Sequence, residues 1–102
     1  MAEPVLLNAA VGDLRDIWLY SGNTYSVDQA NKHAVILREA ISDIGDVPGL
    51  SVSIRDLLGV AGDARRLGVG QHRVHYLCVS EDPIEILRVL HVRQSPSEQR
   101  FV

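Results

Sequence analysis

The run Ile84-Glu85-Ile86-Leu87-Arg88-Val89-Leu90-His91-Val92 decides the fold. It is rich in β-branched residues and leucine and follows Pro83, so it reads as a strand rather than a helix. Strand side chains alternate between two faces. One face then carries Ile84, Ile86, Arg88, Leu90 and Val92, and the other carries Glu85, Leu87, Val89 and His91. Neither face is polar, so the strand is expected to be at least partly buried on both, as a central strand is.

Upstream of this run, Ser80-Glu81-Asp82-Pro83 reads as a turn and His72 to Val79 as a second strand. Gly68-Val69-Gly70-Gln71 reads as another turn, preceded by a short strand at Ala64 to Leu67. Residues 45–63 hold Gly45, Pro48, Gly49, Gly59 and Gly62 and are expected to be mainly loop, with a turn of helix at Ile54 to Leu58. A loop of that length in a compact domain is usually mobile or functional.

Toward the N-terminus the periodicity changes. Asn8 is expected to cap a helix over Ala9 to Ser21, with Ala10, Leu14, Ile17, Trp18 and Ser21 on one face and Asp13, Arg15 and Asp16 toward water. A second helix over Val27 to Ile44 carries Ala30, Ala34, Leu37, Ile41 and Ile44, with Gly45 as its stop. The short link between them predicts an antiparallel hairpin. Pro4 to Leu7 can add a strand at a sheet edge. The order is βααβββ, an α+β fold with a helical hairpin packed on a small antiparallel sheet. Residues 1–102 form one domain with a polar tail from about 95. Two helices cover only one face of the last strand. Leu87, Arg88 and Val89 are therefore expected to meet a partner segment on an otherwise open apolar patch.

The net charge of −3 gives no global attraction to nucleic acid, and no direct nucleic-acid binding is expected. The charges are unevenly spread. Residues 51–102 carry seven basic side chains, all arginine, while residues 1–50 carry three basic and seven acidic ones. Arginine suits planar contact with carboxylates and phosphates. The apolar stretches are far shorter than the roughly 18 residues of a membrane span, and Met1-Ala2-Glu3-Pro4 does not open a secretion signal. With one cysteine, Cys78, the expected compartment is the reducing cytoplasm. His72, His75, His91 and Cys78 are zinc-ligand types, but His72 and His75 stand an odd number of strand positions apart and face opposite ways. No metal or cofactor is expected.

In Arg88-Val89-Leu90-His91, followed by Arg93, the closing strand resembles that of the ParE branch of the RelE/ParE toxin superfamily. Gln71-His72-Arg73-Val74-His75-Tyr76 resembles the family's His-Arg-apolar-x-Tyr strand, and Ala64-Arg65-Arg66-Leu67 the strand before it. Asp13-Leu14, Ile17-Trp18 and Tyr20 resemble its first-helix signature, and Val27-Asp28-Gln29-Ala30 the opening of its second helix. These matches run from residue 4 to about 94 in the family's order. Leu77 stands where the family usually has arginine, and Gln94-Ser95 where Met-Asp is common.

The resemblance implies a toxin of a type II toxin–antitoxin pair that inhibits DNA gyrase and is neutralised, in a hetero-oligomer, by a ParD-type antitoxin from the same operon. Arg65, Arg66, Arg73, His91 and Arg93, polar groups on or beside strands that otherwise read as buried, are the expected target contacts. Leu87, Val89 and Arg88 are the expected antitoxin contacts. The enzymatic alternative is a RelE-like endoribonuclease acting on ribosome-bound mRNA. Such chemistry needs cations on the phosphate and an acid for the leaving group, and Gln94-Ser95-Pro96-Ser97 after Arg93 offers no tyrosine, histidine or lysine. A third reading is a family member that binds its antitoxin without toxicity.

Overall fold

A computed structural model describes residues 3–48, 52–53, 63–78 and 83–93. Its elements are β1 (Val5–Leu6), α1 (Asn8–Thr24), α2 (Val27–Asp46), β2 (Val52–Ser53), β3 (Asp63–Val69), β4 (His72–Cys78) and β5 (Glu85–His91). The strands form one sheet in the order β1-β5-β4-β3-β2. β3–β4 and β4–β5 pair antiparallel as expected, while β2, in a stretch expected to be loop, adds a two-residue strand antiparallel to β3. β1 departs from that pattern by running parallel to β5, with Val5 opposite Glu85 and Leu6 opposite Ile86, so the sheet is mixed. The cause is connectivity, because the chain leaves β1 for the helical hairpin before returning to the sheet. The expected helical turn at Ile54 to Leu58, the strand end at Val79 and the polar tail lie outside the described residues.

α1 starts at Asn8 itself rather than being capped by it: Leu7 occupies the cap position, with no side-chain hydrogen bond. α2 does have a cap, since the Gln29 N–H donates to Ser26 Oγ at 3.0 Å. Both helices outrun their glycines, α1 through Gly22 to Thr24 and α2 through Gly45 to Asp46. A β-carbon placed at Gly22 would meet only Ala30 Cβ at 3.9 Å, so small residues let the two helices approach there. The β3–β4 turn narrows to Gly70-Gln71, with Gly70 at φ +61°, a conformation that favours glycine.

The main core joins Ala10, Leu37, Ile41 and Ile44 of the helices to Val74, Tyr76, Ile86 and Val89 of the sheet. Burying each of the larger apolar side chains contributes roughly 1.5–3 kcal/mol before entropy is counted. Tyr76 is wholly buried and donates its hydroxyl to the Pro48 carbonyl at 2.7 Å, which satisfies the polar end of the ring.

Strict alternation along β5 fails at one place. His75 is opposite Arg88 but Tyr76 is opposite Ile86, so Leu87 is an extra residue, a β-bulge. Beyond the bulge the parity reverses. Val89 joins Ile86 in the main core, although alternation had assigned them to opposite faces, and Leu87 and Leu90 form a second cluster with Leu7 and Leu77. The second face is not an open apolar patch: Ala64, His75, Leu87 and Leu90 are 0, 0, 4 and 1% exposed.

Candidate functional site

Where β3 turns into β4 and β5 ends, the sheet and the helical hairpin enclose an open cleft of about 810 Å³. Its lining includes His72, His91 and Arg93 from the sheet side, His33 from α2, and Tyr20 and Tyr25 from the end of α1. His72 and His91 are cross-strand partners, which places both rings on the helix side of the sheet. The His33 and His72 rings meet edge to face with centroids 5.0 Å apart, and His72 meets His91 in the same way at 5.4 Å. Three imidazoles thus form a continuous chain from α2 to β5.

Each ring is held differently. The Arg93 N–H can only donate, and it points at His91 Nδ1 at 3.1 Å, so that nitrogen is an acceptor. Neutral His91 then carries its proton on Nε2 and donates to Gln71 Oε1 at 3.2 Å. Both nitrogens of His91 are engaged. His72 Nδ1 is buried without a hydrogen-bond partner. Burial, reinforced by His33 and then His91, lowers the His72 pKa to about 4, so it is neutral at physiological pH.

Asp13 stands at the margin of this cleft. It was expected to face water. Instead its carboxylate receives Arg88 Nε on Oδ2 and Arg88 Nη2 on Oδ1, both at 2.7 Å, together with the Val89 N–H at 2.9 Å. The two side chains are 13 and 14% exposed, and the hydrogen bond to Asp13 is the main reason the Arg88 pKa is raised. This fork fastens α1 to β5 beyond the end of the two-residue β1.

The residues singled out from sequence therefore divide. His91 and Arg93 share the cleft. Arg65 lies on the His91 side of the sheet by register but is bound to Asp63 Oδ2 at 2.9 Å. Arg66 and Arg73 lie on the opposite face, beside His75. Arg88 is taken by Asp13. Leu87 and Val89 are buried within the chain, so a partner reaching β5 would not meet their side chains in this conformation. His72 and His75 do face opposite ways, as alternation requires, and the described residues contain no group of three or more His, Cys, Asp or Glu placed to hold a metal ion. Burial pushes the Cys78 thiol up, which keeps it protonated. Sequence reading missed His33, Gln71 and Asp13. Gln71 could have been found, because a two-residue hairpin turn puts it beside the far end of β5. His33 and Asp13 depend on how the helices dock.

Two helices paired over a small sheet that closes on Arg88-Val89-Leu90-His91 define a RelE/ParE-like α+β domain. The chain belongs to the family described as ParE toxin of type II toxin-antitoxin system, parDE, whose model matches residues 5–96. It is similar to Toxin ParE1 of Caulobacter vibrioides, 36% identical over 86 residues that cover 84% of each chain. It is 30% identical over 94 residues to Toxin ParE1 of Mycobacterium tuberculosis strain H37Rv, covering 91% of this chain and 93% of that one. Among solved structures, "Chromosomal ParDE TA system from P. aeruginosa" shares the fold with a TM-score of 0.69 at 19% identity, over 87% of this chain and 96% of that one. No helix among the described residues is long and apolar enough to cross a membrane.

Proposed function

We propose that the chain acts in the cytoplasm by binding DNA gyrase rather than by turning over a substrate, and that a ParD-type antitoxin encoded beside it neutralises it. Family membership supports the class of action. The observation that favours binding over catalysis is the state of the cleft. An RNA-cleaving site needs a group whose proton affinity suits neutral pH, yet among the cleft histidines His91 has both nitrogens engaged and His72, with its pKa lowered to about 4, is a weak base. What the cleft offers is a recognition surface, with Arg93 beside His91 and the exposed rings of Tyr20 and Tyr25 at its mouth.

The purified chain is expected to block gyrase supercoiling, and the antitoxin to restore it. Arg93→Ala should weaken that inhibition by about tenfold or more while leaving the melting temperature nearly unchanged. Cleavage of ribosome-bound mRNA with supercoiling untouched would replace this reading with the endoribonuclease. Antitoxin binding with neither activity would leave the non-toxic reading.

A further inference from the structure

The strands carry four arginines, and they fall into two pairs. Arg65 is held by Asp63 and Arg88 by Asp13. The guanidinium groups of Arg66 and Arg73 have no carboxylate or hydrogen-bond partner among the described residues, although both residues are only partly exposed. Register puts these two on the sheet face away from the helices. Arg66 pairs across the strands with His75, and His75 in turn with Arg88. Arg73 pairs with Gly68 and Leu90. Arg66 and Arg73 are thus diagonal neighbours, with β-carbons roughly 7–8 Å apart.

Two further features shape the place between them. Gly68 presents no side chain, and a β-carbon built on it would meet nothing among the described residues within 4 Å, so there is room beside Arg73. His75 forms the floor. It is wholly buried, and burial followed by the charge of Arg66 lowers its pKa to about 4, so it adds no charge of its own at neutral pH. A half-buried guanidinium without a counter-charge is unfavourable in the free chain. Two such groups on diagonal positions of one face, with no side chain at Gly68 between the strands, suit an anion that arrives from outside.

We propose that Arg66 and Arg73, across the gap at Gly68, form a clamp for an Asp or Glu side chain of the antitoxin. This rests on the antitoxin reading above. Each guanidinium can present a fork of N–H donors to a carboxylate, and one carboxylate has lone pairs enough for both. A peptide carboxylate is favoured over the phosphate of a nucleic acid for two reasons. The chain carries a net charge of −3, which opposes a polyanion. On the same face Leu77 is half-buried and suits an apolar side chain next to the acidic one, whereas the imidazole of His75 is wholly buried and offers no exposed ring on which a base could stack.

The direct probe is a short synthetic peptide alternating leucine with glutamate, titrated into the full chain while the Nε–Hε resonances of its arginines are followed by NMR. Arg66 and Arg73 are expected to shift, Arg65 and Arg88 to stay, and a peptide with glutamine for glutamate to have no effect. Unmoved Arg66 and Arg73, or equal shifts of all four, would overturn the clamp. A response to a short single-stranded RNA but not to the peptide would overturn it in favour of phosphate. In complexes with the co-encoded antitoxin, Arg66→Gln with Arg73→Gln should lower affinity by about tenfold or more. Gly68→Val, which fills the gap and touches no charge, should do the same. Neither variant should lower the melting temperature; a fall in both affinity and melting temperature for both variants would mean that the arginines are structural. An antitoxin that ignores the wild-type chain while the NMR response persists would count against the antitoxin reading and leave the carboxylate clamp intact.

Discussion

β5 handles polar groups in opposite ways at its middle and at its end. Near its middle, Arg88 keeps its charge, and Asp13 meets it with a two-pronged ion pair that also receives the Val89 N–H. At its end, His91 and the neighbouring His72 stay within a chain of rings, and burial holds His72 neutral. The first arrangement satisfies charge by pairing, the second avoids charge altogether. Pairing ties two elements together at the risk of stranding a charge if one partner is lost. Avoidance carries no such risk at neutral pH, and it leaves the end of the strand sensitive to acid.

The largest expected effect comes from breaking the pair. Asp13→Ala leaves a mostly buried guanidinium without its counter-charge and the Val89 amide without its acceptor, and should destabilise the chain by about 3 kcal/mol. A urea titration would read this as a lower midpoint at unchanged slope. Asp13→Leu combined with Arg88→Met removes both charges and should recover most of that loss. If Asp13→Ala costs no more than removal of a surface hydrogen bond, the contrast between the middle and the end of β5 collapses.

The next effect is the acid response. His72 and His75 both titrate near 4 in the folded chain, below the ordinary value of about 6.5. The unfolded chain therefore binds protons first, so the histidine contribution is fully present above about 6.5 and is lost as pH falls through 4. For wholly buried His75 it reaches up to about 3 kcal/mol, and for part-exposed His72 solvent screening makes it smaller. The melting temperature should fall steadily from neutral pH to about pH 4.5. His72→Phe keeps a ring in the stack but removes a titrating group, and should flatten that fall. An unchanged profile would mean that the histidine chain is not what titrates.

How much of this was legible follows from which rules are local. The helical ladders set α1 and α2 to within a few residues, because apolar spacing reports the face that must be buried. The burial of the Tyr76 ring follows from parity with Val74, but its partner, the Pro48 carbonyl, is set by tertiary packing and was not legible. The Leu87 bulge was not. Alternation assumes an unbroken pleat, and one extra residue reverses every assignment after it, which is why Val89 was placed on the wrong face. Asp13 was hidden for a different reason. Helical spacing put it with Arg15 and Asp16, and only the docking of α1 against β5 brings Arg88 within reach. Of the candidate site, His91 and Arg93 were found because the closing-strand motif names them, whereas His33 depends on how α2 lies across the sheet.

The smallest effect sharpens the comparison from its exposed end. Trp18 was expected in the core, yet it is 38% exposed and donates its Nε1–H to Asn31 Oδ1 at 3.0 Å, linking α1 to α2 at the surface. Water competes for both groups there, so the bond should contribute about 0.5 kcal/mol, the low end for a hydrogen bond. Asn31→Ala removes it, but alanine is the better helix former by a similar amount, and the indole N–H can turn to water at little cost. Stability should therefore change by less than about 0.5 kcal/mol in either direction. The emission of this single tryptophan should still shift as the ring loses its tether. Trp18→Ala separates packing from the hydrogen bond, because the ring also lines an apolar groove of about 440 Å³ with Leu14, Ile17 and Ala34. It should cost clearly more than Asn31→Ala. If instead Asn31→Ala rivalled Asp13→Ala, burial would not be what grades the polar contacts of this fold, and the ranking from the Arg88 fork to the surface would have to be abandoned.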